Sequence, residues 1–247
     1  KKGAKYCLTL NPREPKYYPL TIQATAKVLN AAGVDFIISS RYWDLTNYAL
    51  FIGNDADAKL FSMWQVEDVK RLGCEYLLAG ECGHGYRALR WELPNWVGGV
   101  PFKITSVLEL FAKLIQEKRI KLDKSVWDGH RFTYHDSCNI ARSGGIWEEP
   151  RIIINAAAND FKEMEHHGAE SFCCGGGGGA LAMPEFTPRR LAAAKIKADE
   201  IRATGANVCL QSCHNCTDQL KELIEHYHID AKVMNLAELL SPALILD

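Results

Sequence analysis

The chain reads as one plan used twice. Gly73-Cys74-Glu75-Tyr76-Leu77-Leu78-Ala79-Gly80-Glu81 lies over Gly205-Ala206-Asn207-Val208-Cys209-Leu210-Gln211-Ser212-Cys213 without a gap. Cys7 precedes Pro19 by the same interval as Cys138 precedes Pro150. The period is about 131 residues, and self-similarity at a fixed period restricts a chain to folds built from a repeated unit. Short apolar runs at 6–10, 36–38, 76–79 and 102–104 alternate with helix patterns over 19–33, 55–71 and 107–117. The second half repeats this order, with strands expected at 132–134, 169–172, 207–210 and 233–234. Its helices are expected at 150–168, 184–204 and 236–240. Strands separated by helices pair in parallel, which predicts an α/β fold. The expected architecture is two pseudo-symmetric Rossmann-like repeats, each a small parallel sheet flanked by helices. Residues 1–122 form the first unit and 130–247 the second, with the boundary in the charged stretch 119–129.

The halves differ in their cysteines. Ser171-Phe172-Cys173-Cys174 runs into five glycines, Gly175 to Gly179. Adjacent cysteines rarely bridge each other, because the eight-membered ring is strained, and glycine lets backbone come close to a bulky group. Cys213-His214-Asn215-Cys216 is a C-x-x-C at an expected strand end, entering a helix whose N-terminus favours thiolate. Cys138, Cys173, Cys174, Cys213 and Cys216 all follow expected strands, and loops at the carboxyl ends of parallel strands converge on one rim. Five sulfurs exceed the four of a tetrahedral zinc site and suit an iron–sulfur cluster. The ferredoxin spacing C-x2-C-x2-C-x3-C-P does not occur. The first half sets Cys7 opposite Cys138, and Glu81-Cys82-Gly83-His84 opposite the C-x-x-C. One complete thiolate set, and therefore one cluster, is expected.

Other residues carry weaker expectations. Cys74 and Cys209 are core thiols. Cys82, His84 and His135 are substrate-proximal candidates, with His84 as a proton donor; the plainer alternative is a relic loop with an exposed histidine, and Glu81 shares it. His214 either donates to a sulfur or is exposed, and His166-His167 cap a helix C-terminus. Arg142, Arg189 and Arg190 attract a carboxylate-bearing substrate tail or lie on a solvated helix face. Trp91 and Trp96 belong to the core or, in a Pro/Gly-bearing loop, offer a partner surface. A net charge of −1 gives no reason to expect nucleic-acid binding. Nine cysteines, an odd number, without an apolar leader point to a reducing, cytoplasmic setting and metal ligation. No apolar run reaches the roughly 18–20 residues of a membrane span. The chain does not begin with Met, so a processed chain or part of a longer one is expected.

The order Cys138, Cys173-Cys174-Gly175, Cys213-x-x-Cys216 resembles the cysteine-rich CCG domain of heterodisulfide reductase catalytic subunits. The duplicated layout extends the resemblance over essentially the whole chain, although the gap from Cys174 to Cys213 is slightly long and the first repeat is degenerate. The wording His135-Asp136-Ser137-Cys138-Asn139-Ile140-Ala141-Arg142 is most similar to the DsrK-type subunit of the Dsr membrane complex. The resemblance implies one noncubane [4Fe-4S] cluster held by the five cysteines, presented by Cys173 and Cys174. It implies reduction of a disulfide or trisulfide, either of a DsrC-like protein or of a heterodisulfide, in dissimilatory sulfur metabolism. It also implies partner subunits of a membrane-associated electron-transfer complex, with a ferredoxin-type [4Fe-4S] segment or subunit as donor. The chain would then sit peripheral to the inner membrane face through those partners. Two alternatives stay open: an electron-transfer module of another CCG oxidoreductase (lactate, glycolate or glycerol 3-phosphate type), and a zinc-stabilised interaction domain.

Overall fold

Two parallel sheets carry the fold, and the computed structural model describes residues 2–246. The first half runs β1 (Tyr6–Thr9), α1 (Pro19–Ala31), β2 (Phe36–Ile38), α2 (Asp55–Leu72), β3 (Tyr76–Ala79), α3 (Gly83–Arg87), β4 (Lys103–Ser106) and α4 (Val107–Gln116). The second runs β5 (Phe132–Tyr134), α5 (Glu148–Ala157), α6 (Thr187–Ala193), α7 (Lys195–Thr204), β6 (Val208–Gln211), α8 (His214–His226), β7 (Lys232–Asn235) and α9 (Leu236–Ala243). The sheet orders are β2-β1-β3-β4 and β5-β6-β7. Strands β3 and β6 each pair on both sides, and their Leu77, Leu78, Cys209 and Leu210 are fully buried. The α/β class and the two small parallel sheets agree with the sequence reading.

The correspondence between the halves is local and chemical. Gly73 and Gly205 both close a helix in the left-handed conformation (φ +71° and +65°), where a Cβ is unfavourable. Tyr6 pairs with Tyr76, as Phe132 pairs with Val208; Tyr76 pairs with Lys103, as Val208 pairs with Lys232. Both last helices start with a capping box, Ser106 with Glu109 and Asn235 with Glu238. This register corrects one expectation. Cys7 lies inside β1 and corresponds to Thr133, while the position matching Cys138 is Pro12. Counting from the prolines misleads because the connection from β5 to α5 is longer than that from β1 to α1.

The halves share one core. Helix α1 packs on α9 and α4 on α5, so each half's helices cover the other's. One apolar cluster includes Leu8, Val28, Leu77, Phe111, Phe132, Ile153, Leu210 and Leu240. Polar contacts cross at the same seam. Glu81, 2% exposed, accepts from the Leu236 and Ala237 backbone N–H groups at 3.0 and 2.7 Å, capping α9 from the opposite half. Burial pushes its carboxyl up to about 8 against those two bonds. Thr21 donates to Glu238 at 2.8 Å, and Arg13 and Tyr18 both engage Asp218.

Three expected elements differ. Helix α5 ends at Ala157 rather than 168, because the chain turns to lie along β5: Phe132 N–H donates to Asp160 O and Lys162 N–H to Phe132 O. The strand expected at 169–172 is a 3₁₀ turn, Gly168–Glu170, with its polar groups taken elsewhere. Gly168 N–H donates to Asp136, and Arg142 holds the Ala169 and Ser171 carbonyls. The helix expected over 184–204 is a 3₁₀ turn, Pro184–Phe186, followed by α6 and α7. Among the described residues no helix is long and apolar enough to cross a membrane.

Candidate metal centre

Four elements bring sulfur to one rim. Cys138 follows β5 in a turn where Ser143 N–H donates to Cys138 O at 3.0 Å. Cys173 and Cys174 come from the irregular segment after the 3₁₀ turn, with Cys173 exposed and Cys174 buried. Cys213 is the N-cap of α8, and Cys216 lies in its first turn. The fourth element is the start of α3, where Cys82 is the N-cap as Cys213 is of α8, although strand register sets Cys82 opposite His214. The thiols interact in sequence: Cys138 with Cys173, Cys173 with Cys174, Cys174 with Cys216 (3.3 Å), Cys216 with Cys213, and Cys213 with Cys82 (within 4.8 Å). The five cysteines expected as ligands therefore lie together, with Cys82 beside them.

Crowding splits these thiols into two kinds. Contact with Cys138, then Cys174, holds the Cys173 thiol well below its usual range, helped by the Gly175 N–H at 3.3 Å. Contact with Cys216, Cys82 and His84 does the same for Cys213. Their donors Cys138, Cys174, Cys216 and Cys82 are pushed up, because two adjacent sulfurs do not both ionise at low cost. A cation among them would relieve that repulsion and take all of them as thiolates.

Two buried histidines flank the sulfurs. His84 Nδ1 lies 3.7 Å from Cys213 Sγ, and the metal-binding atoms of Cys82, His84 and Cys213 lie within 4.8 Å of one another. Burial opposes protonation of His84, but the contact with Cys213 outweighs it and raises its pKa. His135 is fully buried, and neither ring nitrogen has a hydrogen-bond partner. Its nearest nitrogen, Cys174 Sγ and Cys216 Sγ also lie within 4.8 Å of one another. Burial and then Lys197 push His135 down to about 4, so it is neutral. An unpaired buried imidazole beside thiols is costly unless something occupies the space between them.

Backbone closes the other side. A Cβ on Gly176 would sit 2.8 Å from Asn215 O, and one on Gly177 would sit 3.3 Å from His84 Nε2. The glycine run thus presses on α8 and on His84 without side chains between. Beyond it opens a pocket of about 600 Å³, lined by both halves, with His84, Asn11, Tyr48 and Phe51 on one wall and Leu181 and Met183 on the other. Phe51 meets the His84 ring edge-on at 4.9 Å.

Several expectations change once the side chains are placed. His214 neither touches solvent nor faces a sulfur as a free donor: it stacks on Tyr18 and pairs with Glu14 Oε1 at 3.1 Å. Arg190 is buried and bound to Gln219, Glu222 and Thr187, and Arg142 holds carbonyls, so neither awaits a substrate carboxylate. His166 lies beyond α5 and pairs with Glu200 at 2.7 Å. Trp91 lies in a π-helical turn, Ala88–Glu92, and Trp96 in the following helix, Leu93–Val97, rather than in a loop. Cys74 and Cys209 are buried, as expected, Cys209 in the same apolar cluster as Cys174, Cys213 and Cys216. Sequence reasoning missed Asn11, whose Nδ2 donates to Cys82 Sγ at 3.2 Å. No local pattern marks it, since the contact spans two loops.

Residues 132–221 match the CCG cysteine-rich domain. This segment is similar to that domain, and the match does not extend to the first half. The CCG match spans the whole sulfur set of the second half, from β5 into α8. The chain is 30% identical over 81% of its length to the Hdr-like menaquinol oxidoreductase iron-sulfur subunit 2 of Archaeoglobus fulgidus, covering 42% of that protein. It is 29% identical over 91% of its length to a subunit of the dihydromethanophenazine:CoB--CoM heterodisulfide reductase of Methanosarcina mazei, covering 55%. It is 34% identical over 63% of its length to a subunit of the fumarate reductase (CoM/CoB) of Methanothermobacter marburgensis, covering 30%. The chain thus spans about half the length, or less, of these curated relatives. The first of these relatives is named an iron-sulfur subunit, and all three are named as parts of oxidoreductases or reductases.

Proposed function

We propose that this chain is the catalytic, cluster-bearing part of an oxidoreductase that reduces a disulfide or trisulfide at one noncubane [4Fe-4S] cluster. The observation that carries the proposal is a row of interacting cysteine thiols whose end lies under an open, mostly apolar pocket. The donor set fits the group: five clustered thiols from the second half, a neutral buried His135 and side-chain-free backbone at Gly176 and Gly177. Cys138, Cys173, Cys174, Cys213 and Cys216 would hold the cluster, with Cys173 and Cys174 presenting it. When bound, it would deliver single electrons to a sulfur–sulfur bond, chemistry no side chain supplies.

The chain's own part is binding, orientation and proton supply. Tyr48, Phe51 and Met183 give the pocket an apolar wall that excludes water from a bound S–S group. His84 joins pocket to sulfurs, with Nδ1 towards Cys213 and Nε2 beside Gly177, so it can hold a proton for a departing thiolate. The two halves, 1–122 and 130–247, then act as wall and cluster holder. Electrons come from a ferredoxin-type [4Fe-4S] segment or subunit, since no further cysteine cluster occurs among the described residues. A DsrC-like protein or a small heterodisulfide is the substrate, within a membrane-associated complex of sulfur metabolism on the cytoplasmic side.

A second reading has its own support. Other relatives are named EtfAB:quinone oxidoreductase, from Syntrophomonas wolfei, and probable membrane-anchored ferredoxin, from Chromohalobacter salexigens. On that reading the cluster passes electrons and cleaves nothing. Anaerobic purification, iron and sulfide analysis, and turnover of disulfide or trisulfide substrates with a reduced dye separate the two. About four irons with no turnover of any S–S substrate would favour the second reading; zinc without iron would sink both.

A further inference from the structure

We infer that Cys82, from the degenerate first half, is a sixth sulfur ligand of the same centre, so that the metal site is built across both halves. The inference rests on the cluster reading above and extends its ligand set. Cys82 and Cys213 are each the N-cap of the helix that follows a strand paired on both sides, and their sulfurs meet at the seam. Cys82 is 1% exposed, and its Sγ, the Cys213 Sγ and a His84 nitrogen all lie within 4.8 Å of one another. A buried thiol this close to a cluster ligand is either a core filler or a ligand, and the surrounding donors decide. Asn11 Nδ2 donates to Cys82 Sγ at 3.2 Å and Gly85 N–H donates at 3.4 Å. Two N–H groups aimed at one sulfur match an anionic acceptor, and such bonds tune iron–sulfur centres. Cys74 and Cys209 have no such pair of N–H donors among the described residues, and each lies in apolar packing.

Place gives Cys82 its role. Asn11 and His84 both line the pocket, and both touch this corner of the sulfur row. Cys82 therefore binds metal on the side from which a substrate sulfur arrives. Its thiol proton leaves to solvent when metal binds, and no electron is transferred in that step.

The test is ⁵⁷Fe Mössbauer and EPR spectroscopy with redox titration of anaerobically loaded protein, comparing wild type, Cys82→Ala and Asn11→Ala. Cys82→Ala should keep near wild-type iron and sulfide through the other five sulfurs, yet change the Mössbauer parameters of one iron and shift the EPR g-values. Asn11→Ala keeps the thiol but loses a hydrogen bond to it, so its midpoint potential should fall with iron content unchanged. A loaded Cys82→Ala with wild-type spectra and potential overturns the inference and leaves the five-cysteine reading intact. If Cys82→Ala does not fold, an Asn11→Ala potential identical to wild type overturns it equally. Wild-type protein that binds no iron refutes the cluster reading itself, and the Cys82 assignment with it.

Discussion

Glu81 offers the sharpest separation between a site residue and a structural one. Its two carboxylate oxygens take the N–H groups of Leu236 and Ala237, at the start of a helix from the other half. Glu81→Ala leaves two buried donors without partners, at about 1–3 kcal/mol each. Removing a buried carboxyl returns part of the cost. The net expectation is a loss of about 3 kcal/mol in unfolding free energy. Glu81→Gln keeps one acceptor and should lose about half as much. Urea unfolding of the cluster-free chain, followed by far-UV circular dichroism, measures both. A Glu81→Ala change within about 0.5 kcal/mol of wild type, the ordinary surface range, would refute the cap assignment. So would a pattern in which stability holds while iron content falls, since that would place Glu81 at the metal.

Four further outcomes follow from the same geometry. Serine at Cys138, Cys173, Cys174, Cys213 or Cys216 should lower bound iron, while Cys209→Ala should keep iron and cost about 1 kcal/mol of stability, both read by metal analysis and urea melts. Gly176→Ala places a Cβ 2.8 Å from Asn215 O and Gln219 Cβ; the loop must retreat, so iron uptake should drop with circular dichroism unchanged. Phe51→Ala should raise KM for an S–S substrate several-fold with iron content intact, by opening the pocket wall beside His84. Asp44 carries a pH effect: burial, against hydrogen bonds from Thr46, raises its pKa from 3.8 to about 6. The folded state then holds the proton longer than the unfolded one, so this group's stabilisation is complete below pH ~4 and is lost as pH rises through about 6, by at most about 3 kcal/mol. Asp44→Asn should flatten the urea midpoint across that window.

Much of the fold was legible because its determinants are local. Apolar runs such as Tyr76-Leu77-Leu78-Ala79 and the closing glycines Gly73 and Gly205 mark strands and helix ends within a few residues. The capping boxes at Ser106 and Asn235 were equally local and would have extended the repeat to both last helices. What failed was set at a distance. Phe172 and its neighbours look like a strand, but Arg142 takes the Ala169 and Ser171 carbonyls and Asp136 the Gly168 N–H, and the segment turns instead. The match of Cys7 to Cys138 failed because strand register, not spacing to a proline, decides which residues correspond. At the site, residue type and order singled out the five cysteines, whereas Asn11 and Glu81 act on the opposite side of a loop or seam and leave no trace in their own neighbourhood.

The loss of ligands from the first half has a structural counterpart. Where the second half places Cys138, the first places Pro12, and the residue before it, Asn11, bonds to Cys82 on that rim. Tyr48, Phe51 and His84 stand on the first-half side, facing Gly178, Leu181 and Met183. Discrimination between substrates should therefore follow the first half and metal content the second. Exchanging Tyr48 and Phe51 for smaller or charged residues tests this division, because both line the pocket and neither belongs to the sulfur row. Altered preference among S–S substrates at constant iron supports it; iron loss from those two changes would show that wall and cluster holder are not separable.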